Sequence, residues 1–211
     1  MKFQEKQLLL YAVTDRAWIG TLTLYQQIEQ AILGGVTCIQ LREKNLDEET
    51  FIKEAIQVRK LCHKHGIPLI INDNLKVALE SGADGIHVGN DDMPVKEIRK
   101  ITGEDFIIGA TAKTIAQAKE AEKAGANYLG VGAVFPSPTK TNAIRITSEA
   151  LREICSSVRI PVVAIGGITE ENMAEITGCG MKGIAVVSAI FSAENIRTAT
   201  GKLREKIVSI L

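Results

Sequence analysis

Gly82-Ala-Asp-Gly-Ile-His-Val88 is one of four stretches built to the same grammar: a Gly, two spacer residues, then an apolar strand. The others are Gly35-Val-Thr-Cys-Ile-Gln-Leu41, Gly125-Ala-Asn-Tyr-Leu-Gly-Val131 and Gly180-Met-Lys-Gly-Ile-Ala-Val186, and the four begin at intervals of 47, 43 and 55 residues. Each opening Gly follows an amphipathic stretch, where a helix C-cap in the left-handed region favours a residue without a Cβ. Between them lie four more apolar runs: Leu8 to Thr14, Gly66 to Asn72, Asp105 to Gly109 and Arg159 to Ile165. Two of these enter through an Ile-Pro step, which suits a first strand residue that donates nothing to the ladder. The runs are nearly continuously apolar, the mark of a sheet buried on both faces.

Helical spacing of apolar residues fills the gaps: Leu24–Leu33, Glu48–His65, Leu75–Glu80, Pro94–Ile101, Thr114–Ala124, Ser148–Cys155, Glu170–Ile176 and Ala193–Ile210. Asp47 is placed to cap the second, and Pro94 suits a first helical turn. Eight strands alternating with eight helices, at about 26 residues per unit, predict an α/β fold: a single (β/α)8 barrel over residues 1–211. A doubly wound open sheet is the competitor, but it requires a reversal of strand order that a two-unit repeat does not suggest.

Composition supports this and removes other classes. The chain has 211 residues, 25 Lys+Arg against 25 Asp+Glu, and 45% hydrophobic residues. That excludes disorder and gives no basic stripe for nucleic acid or an anionic membrane. Met1 to Lys6 is polar and leads into a short apolar run, so neither a secretory signal nor a membrane span is expected. Cys38, Cys62, Cys155 and Cys179 show no C-x-x-C spacing and read as reduced thiols of a cytoplasmic protein.

A barrel carries its chemistry at the C-terminal ends of its strands. In order these ends hold Thr14-Asp15, Gln40 to Lys44, Asn72-Asp73, His87 to Asp92, Thr111, Phe135 to Lys140, Gly166-Gly167 and Val187-Ser188. Glycines after strand seven and a hydroxyl after strand eight match the usual phosphate site of a barrel, although a Gly pair also serves a tight turn. Asp73 and Asp92 suit Mg²⁺, which is content with one or two carboxylates plus water and substrate oxygens, or they cap the helices that follow them. Arg42, Lys44 and Lys140 would bind phosphate as a planar fork and two point charges. His87 falls inside its strand and reads as a satisfied core or rim histidine rather than a base.

Taken in order, Val13-Thr14-Asp15, Gln40-Leu-Arg-Glu-Lys44, Ile71-Asn72-Asp73, the His87 to Asp92 run, Phe135-Pro-Ser-Pro-Thr-Lys140 and Val163-Ala-Ile-Gly-Gly167 resemble the thiamine-phosphate synthase family. The resemblance implies a transferase that joins a hydroxymethylpyrimidine diphosphate to a hydroxyethylthiazole phosphate and releases pyrophosphate. It implies Mg²⁺ on Asp73 and Asp92, with Arg42, Lys44 and Lys140 as catalytic cations. Gln40, Arg42, Lys44, Asn72, Thr111 and Lys140 would contact the pyrimidine diphosphate. Ser137, Thr139, Gly167, Val187 and Ser188 would contact the thiazole phosphate, and the loop from Phe135 to Lys140 would close as a lid. The implied partners are these small molecules; a homodimer is left open.

Three other readings compete. A thiazole tautomerase relative would share the barrel but needs a general acid–base, and Lys113 stands where His would be expected. A Schiff-base aldolase would use Lys44 or Lys140, yet both have polar neighbours. A phosphate-sensing barrel would bind without turnover.

Overall fold

The structure, a computed structural model, describes residues 3–136 and 145–211. Its strands are β1 (Leu10–Val13), β2 (Cys38–Leu41), β3 (Leu69–Asn72), β4 (Gly85–Val88), β5 (Ile107–Ala112), β6 (Tyr128–Gly132), β7 (Val162–Ile165) and β8 (Gly183–Val186). The helices are α1 (Leu24–Gly34), α2 (Glu48–Lys64), α3 (Leu75–Ser81), α4 (Val95–Thr102), α5 (Ile115–Lys123), α6 (Ser148–Ser157), α7 (Ser188–Phe191) and α8 (Ile196–Ile210). All neighbouring strands pair in parallel, and β1 pairs with β8 through Leu10 and Ile184. The barrel is therefore closed, and the open-sheet alternative falls.

Both faces of the strands are buried, which explains the unbroken apolar runs. Leu10, Ile39, Leu69, Ile86, Ile108, Leu129, Val162 and Ile184 face outward into the shell of helices. Tyr11, Cys38, Ile70, Ile107, Tyr128, Val163 and Ala185 face inward and fill the barrel. The inner filling depends on pairing large with absent side chains. A Cβ on Gly109 would lie 2.1 Å from the ring of Tyr128 on the next strand. Phe3 stacks on the same ring, with centroids 6.1 Å apart.

The helix starts follow local capping. Thr23 and Gln26 form a reciprocal capping box at α1, and Asp47 accepts the Thr50 N–H at 2.9 Å at the start of α2. Pro94 stands at the N-cap of α4, one residue ahead of its expected place in the first turn.

Several expected boundaries differ. Residues Glu5–Leu8 form a 3-10 turn, closed by Gln7 accepting the Gln4 N–H at 2.8 Å, and the strand begins only at Leu10. Strand β5 runs on to Ala112 and so carries Thr111 within it. The expected helix over 170–176 is only a 3-10 turn, Met173–Ile176. There Asn172 accepts the Thr169 N–H and donates to the Gly167 carbonyl, both at 2.8 Å, competing with a helical start. The last helix begins at Ile196, not Ala193, because Asn195 caps it through the Thr198 N–H at 2.9 Å. The separate short helix α7 ends at Phe191, and residues 192–195 form a turn and bend between the two helices. Among the described residues, no helix is long and apolar enough to cross a membrane.

Candidate active site

One pocket opens at the C-terminal ends of the strands. Gln40 and Arg42 reach it from β2, Asn72 from β3, His87 from β4 and Thr111 from β5. Gly166 and Gly167 after β7, and Val187 and Ser188 after β8, line the opposite side. Val163, Ile165 and Ala185 supply its apolar wall.

Arg42 is held from two directions. Its backbone N–H donates to the Thr14 hydroxyl at 2.9 Å, and its guanidinium donates to Asp15 at 2.8 Å. Glu43, the next residue, turns away from the pocket. Its carboxylate is buried and accepts from Arg16 at 2.6 Å, while Arg16 also bonds Glu54 of α2 at 2.6 and 2.8 Å. Burial pushes the Glu43 carboxyl up, against the pull of Arg16. The strand-end loop that carries Arg42 and Lys44 is thus tied to β1 and to α2.

Lys44 lies at the rim, where its ammonium is 2.8 Å from Asp73. Asn72 donates to the same carboxylate oxygen at 2.6 Å. Asp73 has φ of 62°, in the left-handed region that Asp tolerates better than most residues. Burial would raise its carboxyl, but bonds with Lys44, Asp92 and Asn72 outweigh that and hold it low. Asp92 moves the other way, raised by burial and then by Asp73 facing it. Neither aspartate caps a helix: Asn74 caps α3, α4 has no side-chain cap, and Asp92 instead accepts the Gly89 N–H at 2.7 Å.

Two facing carboxylates beside one ammonium form a donor set that fits Mg²⁺, with water and phosphate oxygens completing the shell. Among the described residues, no three or more His, Cys, Asp or Glu gather as a metal cluster. A Mg²⁺ ion held here would need further ligands from water or a bound substrate. Asp92 also lines a neighbouring groove that reaches Thr111.

The Gly166-Gly167 pair has φ of 102° and 63°. A Cβ on Gly166 would lie 2.6 Å from Ala133, and one on Gly167 would lie 2.1 Å from the Pro136 carbonyl oxygen. The tight turn and the pocket wall are the same feature, because glycine lets this loop pack on the segment after β6. Phe135 donates its N–H to the Gly166 carbonyl at 3.0 Å. On the same side of the pocket, α7 starts at Ser188, and the first N–H groups of a helix have no partners within it.

Beneath the pocket runs a hydrogen-bonded chain that the sequence did not suggest. Gln40 donates to the Tyr11 hydroxyl at 2.9 Å, the Tyr11 and Tyr128 hydroxyls are 2.8 Å apart, and Tyr128 meets His87 Nδ1 at 3.1 Å. His87 Nε2 then meets the Thr111 hydroxyl at 3.1 Å. Burial pushes His87 down to about 4, with Asp73 pulling slightly the other way, so the ring is neutral at pH 7. Burial raises both tyrosines well above their ordinary value, and both keep their protons.

Seven expected contact residues, Gln40, Arg42, Asn72, Thr111, Gly167, Val187 and Ser188, line the pocket together. Lys44, Asp73 and Asp92 lie at its rim or beside it. Ser137, Thr139 and Lys140, with most of the expected lid, lie outside the described residues. His87 is satisfied at both nitrogens, as expected, but it also lines the pocket, as do Tyr11 and Lys113. Tyr11 lies two residues from Val13, on the inward face of β1.

Comparison with known proteins agrees with this geometry. The family model described as thiamine monophosphate synthase matches residues 10–190. A thiamine-phosphate synthase of Ruminiclostridium cellulolyticum is 48% identical over 200 residues, covering 95% of each chain. The thiamine-phosphate synthase 2 of Streptococcus pneumoniae is 45% identical over 204 residues, covering 97% of each. A solved thiamine phosphate pyrophosphorylase from Pyrococcus furiosus superposes with a TM-score of 0.91 at 39% identity, covering 98% of each chain. The chain belongs to the thiamine monophosphate synthase family.

Proposed function

We propose that the two sides of this pocket receive two different phosphate esters and join their organic parts. The chain is a transferase of thiamine biosynthesis, a thiamine-phosphate synthase. The pyrimidine diphosphate occupies the side of Gln40, Arg42, Lys44, Asn72 and Thr111, together with Lys140, which lies outside the described residues. The thiazole phosphate occupies the side of Gly167, Val187 and Ser188, with Ser137 and Thr139. The observation that carries this reading is the meeting of seven such residues, from five strand ends, in one pocket.

The bond between the pyrimidine methylene and its diphosphate breaks, and both electrons leave with the diphosphate. The electron-rich aminopyrimidine bears the cation left behind. The thiazole nitrogen then donates its lone pair to that methylene carbon, giving thiamine phosphate and pyrophosphate. Arg42 and Lys44 neutralise the charge that grows on the departing diphosphate, where a preorganised cation acts most strongly. Asp15 and Thr14 hold Arg42 in place beforehand. Backbone N–H groups around Gly166-Gly167 and the start of α7 bind the thiazole phosphate. Val163, Ile165 and Ala185 keep water from the cation. Mg²⁺ held by Asp73 and Asp92 would add Lewis-acid neutralisation of the diphosphate.

The surroundings of Lys44 do not favour a Schiff base, and Lys140 lies outside the described residues. Lys44 is half-exposed and paired with Asp73, rather than enclosed in the apolar surroundings such a nucleophile needs. Cytoplasmic residence belongs to the same proposal, supported by four cysteines that are all free thiols.

The test is pyrophosphate release by the purified protein with both substrates and Mg²⁺, then with EDTA. Release that needs both substrates, stops on chelation and matches the thiamine phosphate formed supports the whole reading. Release unaffected by chelation removes the metal; no release by the folded protein removes the activity.

A further inference from the structure

The direction in which protons run along the chain beneath the pocket decides what Thr111 offers a substrate. The Gln40 amide nitrogen can only donate, so the Tyr11 oxygen accepts from it at 2.9 Å. The Tyr11 and Tyr128 hydroxyls are 2.8 Å apart and Tyr128 is 3.1 Å from His87 Nδ1, contacts that either partner can donate; carried onward from Gln40, the protons run from Tyr11 to Tyr128 and from Tyr128 to Nδ1. With Nδ1 accepting, the one proton of a neutral imidazole sits on Nε2 and is donated to the Thr111 oxygen at 3.1 Å. The Thr111 hydroxyl has its own proton left.

We propose that Tyr128 is a positioning residue which, by fixing the Nε2–H tautomer of His87, sets the Thr111 hydroxyl as a hydrogen-bond donor to an acceptor atom of the pyrimidine diphosphate. This rests on the placement of that substrate at Thr111 given above. Three features make the device rigid. Tyr11 and Tyr128 are buried, at 1% and 0% exposure. The Tyr128 ring lies over Gly109 and is stacked on Phe3, which leaves its hydroxyl one place to be. The four ring and hydroxyl groups come from β1, β6, β4 and β5, all strands of the closed wall, and none from a loop.

The first measurement needs no substrate. Two-bond proton–nitrogen NMR spectra of the full chain, with the His87 signals assigned by loss in His87→Asn, report the tautomer directly. The expected result is protonated Nε2 and bare Nδ1 at pH 7, with a mixture of tautomers in Tyr128→Phe. A wild-type His87 protonated on Nδ1 overturns the proposal, whatever the enzyme does.

The second measurement is kinetic. Tyr128→Phe and Thr111→Val should each raise KM for the pyrimidine diphosphate about tenfold, the scale of one hydrogen bond, while KM for the thiazole phosphate stays within twofold. The double variant should be no worse than the poorer single one, because both changes remove the same donor. Multiplicative losses, or equal losses for both substrates, would show that Tyr128 matters only to the packing. If the wild-type chain makes no thiamine phosphate, the substrate placement fails while the tautomer result still stands.

Discussion

The Lys44 ammonium and the Asp73 carboxylate meet at 2.8 Å across the ends of β2 and β3, while Asp73 also faces Asp92. This one aspartate therefore balances a cation on one side and a like charge on the other. Asp73→Asn removes the charge but leaves an amide of the same shape. We expect it to lower kcat by about 10²–10³-fold, the usual scale for losing one electrostatic contributor to a transition state. Pyrophosphate release across a Mg²⁺ titration checks this; a variant with wild-type rate and metal dependence excludes Asp73 as a ligand.

Arg42 depends on Asp15 for its aim. Asp15→Ala should leave the guanidinium present but unheld, raising KM for the pyrimidine diphosphate about tenfold through one lost charge-assisted bond. The KM for the thiazole phosphate should not move. Steady-state kinetics with each substrate varied in turn decides it, and a rise in both constants would point to a general distortion of the rim.

Gly167 and Gly66 separate two effects of adding a methyl group. Both have a positive φ, 63° and 71°, but a Cβ at 167 would meet backbone at 2.1 Å whereas one at 66 would meet nothing within 4 Å. Gly66→Ala should lose about 1–2 kcal/mol from the left-handed conformation alone. Gly167→Ala should lose more and should also weaken binding of the thiazole phosphate. Urea unfolding of both variants gives the comparison, and equal losses would mean that the segment after β6 yields freely.

His87 links stability to pH. Its folded value, about 4, is below the ordinary histidine value, so the unfolded chain binds a proton more readily between the two. Stability from this group is complete above about pH 6.5 and is lost as the pH falls towards 4, to a limit of roughly 3 kcal/mol. Unfolding free energies of the wild type and His87→Asn at pH 7 and 4.5 should show a shallower slope for the variant. Identical slopes would place the titration elsewhere.

The barrel was readable because its signals are local. A Gly at a helix C-cap, two spacers and an apolar strand report one unit each, and the order of units follows from the chain. The contact residues were readable for the same reason: Gln40, Asn72 and Thr111 are polar residues at or near the ends of otherwise apolar strands. What lay beyond reach was lateral. An unbroken apolar run does not say which residues face inward, so Tyr11 and Tyr128 gave no sign that their hydroxyls meet. Their partner signal, Gly109 opposite Tyr128, becomes legible only once the register of β5 and β6 is known. The turn at Met173–Ile176 failed differently: its apolar spacing is helical, but the Asn172 side chain takes the bonds a helix would use.

The fit of Tyr128 over Gly109 has a consequence for how this barrel can change. Any side chain at 109 needs the volume of the ring, so it can enter only if position 128 shrinks in the same step. The smaller residue carries no hydroxyl at that point in space, and the link to His87 goes with it. A lineage that enlarges the wall at 109 must therefore find another way to orient its substrate. Among related chains, glycine at the first position and tyrosine at the second should be gained and lost as a pair.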